Sequence, residues 1–136
     1  GTIPRGYFPY PFANVQFADQ LTGAEKGLKN PLKKTYANYK RGEDRYQIYC
    51  SPCHGVAGKG NGNVVGPSPR YLMTPTPLTQ ERVVNFSDGQ IYHVVTLGKG
   101  VMSGYAAQIE PEDRWKLIYY IRKLQDAENN TKKAAK

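Results

Sequence analysis

Cys50-Ser51-Pro52-Cys53-His54 is a C-x-x-C-H pentapeptide, the pattern that attaches a c-type haem. The chemistry explains the spacing. Two thiols must reach the two vinyl groups on one edge of a flat porphyrin. In a helical turn, side chains three residues apart point the same way. His54 follows at once and can swing under the ring to give a nitrogen to iron. Two thioether bonds and one axial ligand thus hold one haem c. Other readings fit poorly. A structural zinc site needs about four Cys or His ligands, and the chain has two of each, with His93 remote. A thioredoxin-like pair wants a βαβ context, which is absent. A disulfide here would close a very small loop and leave His54 unexplained.

The 136 residues suffice for one domain with an added segment. Hydrophobic residues make up 39%, and no run approaches the ~18 apolar residues of a membrane span. Net charge is +8, from 19 basic and 11 acidic residues. Such a surface suits an acidic partner protein or an anionic membrane face. No nucleic-acid motif accompanies the charge, so nucleic acid is not an expected partner. Haem attachment to C-x-x-C-H is expected outside a bacterial inner membrane. A start at Gly1 fits a mature exported protein whose leader was removed.

Three segments are expected. Residues 1–35 form an extended arm. Its Ile3-Pro4-Arg5-Gly6-Tyr7-Phe8-Pro9-Tyr10-Pro11-Phe12 alternates proline with aromatics, which excludes helix. Apolar side chains are costly to leave wet, so docking of the arm on partner proteins is preferred to a free linker. Residues 36–126 form the folded domain, and 127–136 a polar, basic, frayed tail.

Within the domain, a helix over Tyr36–Cys50 places Gly42, Tyr46 and Cys50 on one face. Residues 55–66 are glycine-rich. They lack the G-K-[ST] of a phosphate loop and read as a wrap around the haem edge, where small residues let backbone approach. Prolines keep 66–78 extended. A short helix capped by Thr79 is predicted over 79–85. Ser87-Asp88-Gly89-Gln90 is a capping box opening a helix through Leu97, which Gly98 stops. Residues 98–108 read as a loop. Pro111, Glu112 and Asp113 begin the last helix, striped with Trp115, Leu117, Ile118, Ile121 and Leu124. The fold class is all-α, and its marginal core gains an apolar plate from the haem.

His54 needs a partner across the iron, or an open position. Met102 lies in the glycine-bracketed Gly98-Lys99-Gly100-Val101-Met102-Ser103-Gly104-Tyr105, 48 residues after His54. It is the favoured sixth ligand, with Met73 next and His93 and an open site behind. His/Met ligation leaves no position for oxygen and favours ferrous iron. Around the haem, the Gly66-Pro67 region offers a carbonyl to the free N–H of His54. Arg70 and Tyr71 are candidates for a propionate, and Tyr105 for covering the distal side.

Gly42-x3-Tyr46-x3-Cys50-x2-Cys53-His54, Met102 and Trp115-Lys116-Leu117-Ile118-Tyr119-Tyr120-Ile121-Arg122 together resemble class I cytochrome c. That resemblance implies a first helix crossing the last at Gly42, near Trp115 and Tyr119, with a proline behind the axial His. A narrower resemblance spans Gly1–Gly6, Gly60–Val65, Val101–Ala107 and Asp113–Trp115. It is to the monohaem cytochrome c subunit of bacterial alternative complex III, which oxidises membrane quinol and passes electrons to an oxidase or soluble carrier. It implies partners among that complex's subunits, an oxidase or multihaem cytochrome as redox partner, and a periplasmic location. Membrane contact would come through the complex or a lipid anchor on a cysteine preceding Gly1. On its own, the chain would be an electron carrier and not an enzyme. A free periplasmic shuttle is the second reading. A haem protein with an open, ligand-binding site is the third.

Overall fold

The computed structural model describes residues 28–63, 75–99, 102–105 and 108–134. Helix α1 spans Tyr36–Tyr49. The Thr35 hydroxyl accepts from the Asn38 N–H at 3.2 Å, satisfying one of the free donors of the first turn. The one-turn helix α2, Ser51–His54, follows directly with Pro52 near its start. Helix α3 is Glu81–Val84, α4 is Asp88–Leu97 and α5 is Pro111–Ala134. Two-residue strands β1 (Gly98–Lys99) and β2 (Met102–Ser103) pair antiparallel, Gly98 opposite Ser103. The all-α fold stands, with this ladder inside the expected 98–108 loop.

Helices α1 and α5 cross at Gly42, whose position faces the Lys116 carbonyl and the Leu117 nitrogen. Arg41 locks the crossing with a two-pronged bond to Asp113, at 3.1 and 2.9 Å. Tyr39 and Tyr46 of α1 pack on Tyr120 of α5, with ring centroids 5.6 and 5.1 Å apart. Helix α4 lies against α5 through Tyr92 stacked on Trp115 at 4.2 Å. The core between them is Tyr46, Ile91, Val95, Ile109, Leu117, Ile118 and Ile121. Leu117, Ile118 and Ile121 belong to the apolar stripe anticipated for the last helix.

Two boundaries differ from the sequence expectation. The third helix begins at Glu81 with Gln80 as its cap, not at Thr79. Leu78 is engaged elsewhere: its N–H donates to Gly58 O at 2.7 Å and its carbonyl accepts from Gln125 at 2.9 Å. Those tertiary bonds hold the chain out of helical geometry there. The last helix does not end near 126 but continues to Ala134. Glu128 meets Lys59 at 3.4 Å and Lys132 at 4.0 Å, and Lys132 and Lys133 sit where the helix dipole favours cations. The expected frayed tail is therefore mostly exposed helix. Finally, the glycines after His54 crowd the attachment turn itself. A Cβ on Gly62 would stand 2.5 Å from Ser51 O, and Gly60 and Gly62 donate to His54 O and Cys53 O at 2.7 and 3.0 Å. The N-terminal arm expected over 1–35 lies mainly outside the described residues.

Candidate haem attachment site

The site grows out of the end of α1. The helical ladder runs past Tyr49, with Cys50 N–H on Tyr46 O at 2.9 Å and His54 N–H on Cys50 O at 2.8 Å. Cys50, Cys53 and His54 therefore occupy one continuous turn. Both cysteines are free thiols; Cys50 is buried and Cys53 half-buried. Burial, with Cys53 nearby, pushes the Cys50 thiol up to about 12. Among the described residues, no cluster of three or more His, Cys, Asp or Glu is assembled that could hold a metal ion.

His54 Nδ1 lies 3.0 Å from Thr76 O. A carbonyl can only accept, so Nδ1 carries the proton and Nε2 keeps its lone pair for a metal. Burial lowers the imidazole's proton affinity, opposed by the Thr76 bond, so the neutral form is favoured. The carbonyl on His54 is thus Thr76's, and the Gly66-Pro67 region proposed for that role lies outside the described residues. Thr76 sits between Pro75 and Pro77, which hold it extended with its carbonyl projecting. That X-P-x-P pattern was the signal available in the sequence.

Tyr46, fully buried, donates its hydroxyl to Gly55 O at 2.7 Å. Burial pushes its phenol well above the ordinary value. Gly55 at φ 84° turns the chain sharply after His54, a conformation suited to glycine. Tyr105 stands beside the same turn. Its hydroxyl donates to Tyr49 O at 3.3 Å and its ring lies 5.5 Å from Tyr49's. Met102 is carried by β2, and the chain just beyond it is pressed on α4: a Cβ on Gly104 would be 2.5 Å from Thr96 O. His93 is fully buried within α4, where burial lowers its proton affinity. Pro67, Arg70, Tyr71 and Met73 lie outside the described residues.

The donor set fits a covalent haem. One turn presents two unbridged thiols and a neutral imidazole whose far nitrogen is pinned, and Cys50 at its start belongs to the apolar core built from α1, α4 and α5. Helix crossing at Gly42, the C-x-x-C-H turn and the carbonyl behind its histidine define a class I monohaem cytochrome c. A family model described as cytochrome c oxidase, cbb3-type, subunit III matches residues 37–121, and the chain belongs to that family. Among solved structures, it is similar to a chain of the reducing HAO-like protein complex of Kuenenia stuttgartiensis. Identity is 26% and the TM-score 0.58, over 69% of this chain and 46% of that one. It shares its fold with cytochrome cL from Hyphomicrobium denitrificans, at 22% identity and TM-score 0.54, over 87% of this chain and 64% of that one. The chain thus spans less than two thirds of either. No curated protein matches. As a member of that family, the chain binds haem c. Among the described residues, no helix is long and apolar enough to cross a membrane.

Proposed function

We propose that this chain is a one-electron relay subunit of a membrane quinol-oxidising complex of the alternative complex III type. It works on the periplasmic side of a bacterial inner membrane and hands electrons to an oxidase or a soluble carrier. His54 Nε2 and the Met102 thioether are the groups that would hold the iron. When bound at Cys50 and Cys53, haem c supplies one-electron exchange between ferrous and ferric iron. The chain's own residues keep the coordination unchanged. Thr76 O holds His54 in one tautomer and orientation, and Tyr46 fixes the turn that follows it. A thioether from Met102 would favour ferrous iron and exclude oxygen.

The bond from His54 Nδ1 to Thr76 O is the observation that carries the electron-relay reading. A fixed imidazole suits a reaction in which no bond rearranges. The complex-subunit reading draws on the proline-aromatic arm and the +8 charge. It also draws on likeness, at 26% identity, to a chain that itself belongs to a protein complex. The arm gives a fixed subunit a clamp, whereas a free shuttle gains little from one.

The test is purification of the full chain from detergent-solubilised membranes of its host. Co-elution with multihaem and iron–sulfur subunits and with quinol-oxidising activity is expected. Recovery of the chain alone as a soluble monohaem protein would favour the free shuttle instead. Rapid carbon monoxide binding to the reduced native protein would favour the open-site reading over both.

A further inference from the structure

Arg114, in the first turn of α5, is only 3% exposed. Burying a guanidinium is costly unless its donors are directed to acceptors. Its Nε donates to Ile109 O at 2.9 Å. Its Nη1 donates to the Tyr92 hydroxyl at 3.3 Å and to Thr96 Oγ1 at 3.2 Å. Thr96 Oγ1 gives its own proton to Tyr92 O at 2.7 Å, which leaves its lone pairs for the arginine. The guanidinium carbon also lies 5.4 Å from the centre of the Tyr92 ring.

These partners sit at the two ends of one segment. Tyr92 and Thr96 belong to the last two turns of α4, and Ile109 precedes α5. Everything between, residues 98–108, is the stretch that carries Met102. Its middle is tied down in the same place. Tyr105 N–H donates to Val95 O at 2.8 Å, and the Gln108 and Ile109 N–H groups donate to Tyr105 O at 3.1 and 2.9 Å. One side chain therefore joins the entry and the exit of the Met102 segment.

We propose that Arg114 is a positioning residue for the distal ligand: it braces the 98–108 segment closed, so that the Met102 sulfur stays on iron. The proposal rests on Met102 as the sixth ligand. Arginine suits the task because its planar fork reaches a carbonyl on one side and two hydroxyls on the other. Lysine keeps the charge but has no fork. The brace should therefore govern how often the distal ligand escapes, separately from how stable the fold is.

The experiment uses the haem-loaded ferric protein with imidazole as a competing ligand, at a temperature where every variant is folded. Imidazole can bind only after the sulfur leaves, so its limiting rate reports opening of the segment. Arg114→Lys is expected to raise that rate roughly 10-fold, the scale of a lost hydrogen bond to a charged group. Thr96→Val and Tyr92→Phe, which each remove one hydroxyl acceptor, should raise it a few-fold. They also decide the matter if Arg114→Lys does not fold. Limiting rates equal to the parent's in the folded variants, even with a lowered melting temperature, would overturn the brace. Met102→Ala separates the underlying assignment. Immediate imidazole binding and a changed ferric spectrum in that variant uphold the ligand, whereas a parental spectrum and rate overturn the ligand and the brace together.

Discussion

The Lys116 carbonyl of α5 faces Gly42 of α1 so closely that the two helices meet backbone to backbone. A Cβ built on Gly42 would fall 2.7 Å from the Lys116 carbonyl carbon and 3.3 Å from Leu117 N. Neither neighbour is a flexible side chain that could move aside. Gly42→Ala should therefore force α1 and α5 apart. Alanine gains about 1 kcal/mol of helix propensity, against overpacking of about 3 kcal/mol or more where backbone must shift. A net loss of about 2 kcal/mol is expected, lowering the melting temperature of the haem-loaded protein by roughly 8–16 °C. Thermal unfolding followed by circular dichroism measures it. An unchanged melting temperature would mean that the crossing has slack.

Tyr46→Phe isolates one hydrogen bond beneath the attachment turn. The ring would still fill its place against Tyr120, but the buried Gly55 carbonyl would lose the hydroxyl at 2.7 Å. Leaving one buried acceptor unsatisfied costs about 1–3 kcal/mol. Denaturant unfolding should show a lower midpoint at unchanged slope. A midpoint equal to the parent's would mean that water replaces the phenol.

These two contacts show which parts of the protein were legible in its sequence. The attachment turn, the Ser87–Gln90 capping box and the stop at Gly98 are local arrangements. Their hydrogen bonds link residues a few positions apart, so the pattern and the structure coincide. The crossing at Gly42 was legible only through the family resemblance, because nothing near Gly42 in sequence names Lys116. Thr76 on His54 was missed, since its carbonyl returns from 22 residues downstream. The start of α3 was misplaced for the same kind of reason, with Leu78 bonded to Gly58 and Gln125. Past residue 126 the last helix has no apolar stripe to reveal it, and side-chain pairs along its surface sustain it instead. Arg114 reads in sequence as an ordinary first-turn cation, and only the fold reveals its burial.

Covalent attachment can be tested one thiol at a time. Cys50 and Cys53 share one turn, so removing either leaves a single thioether possible. Cys53→Ala should keep haem on the chain through denaturing electrophoresis. Its pyridine haemochrome absorption should shift to longer wavelength, because one vinyl group stays conjugated with the ring. The double variant Cys50→Ala/Cys53→Ala should release all its haem into acidified acetone. It should also lose helical signal, since so small a core is marginal without the plate it packs on. Haem retained after extraction of the double variant would contradict attachment at these residues.

The sixth ligand is decided by comparing two methionines. Ferric iron bound to a thioether has a weak absorption in the far red, absent with nitrogen or water in that position. Met102 is carried on the β1–β2 hairpin, which is held against the last turn of α4 by the close approach of Gly104 to Thr96. Met102→Ala should therefore abolish the band, open the ferrous iron to carbon monoxide and lower the reduction potential, as loss of an axial thioether does. Met73→Ala should retain the band and exclude carbon monoxide. If the band survives in Met102→Ala and vanishes in Met73→Ala, the ligand is Met73. If the parent itself lacks the band and only a His93 variant changes the spectrum, the iron is held by two imidazoles.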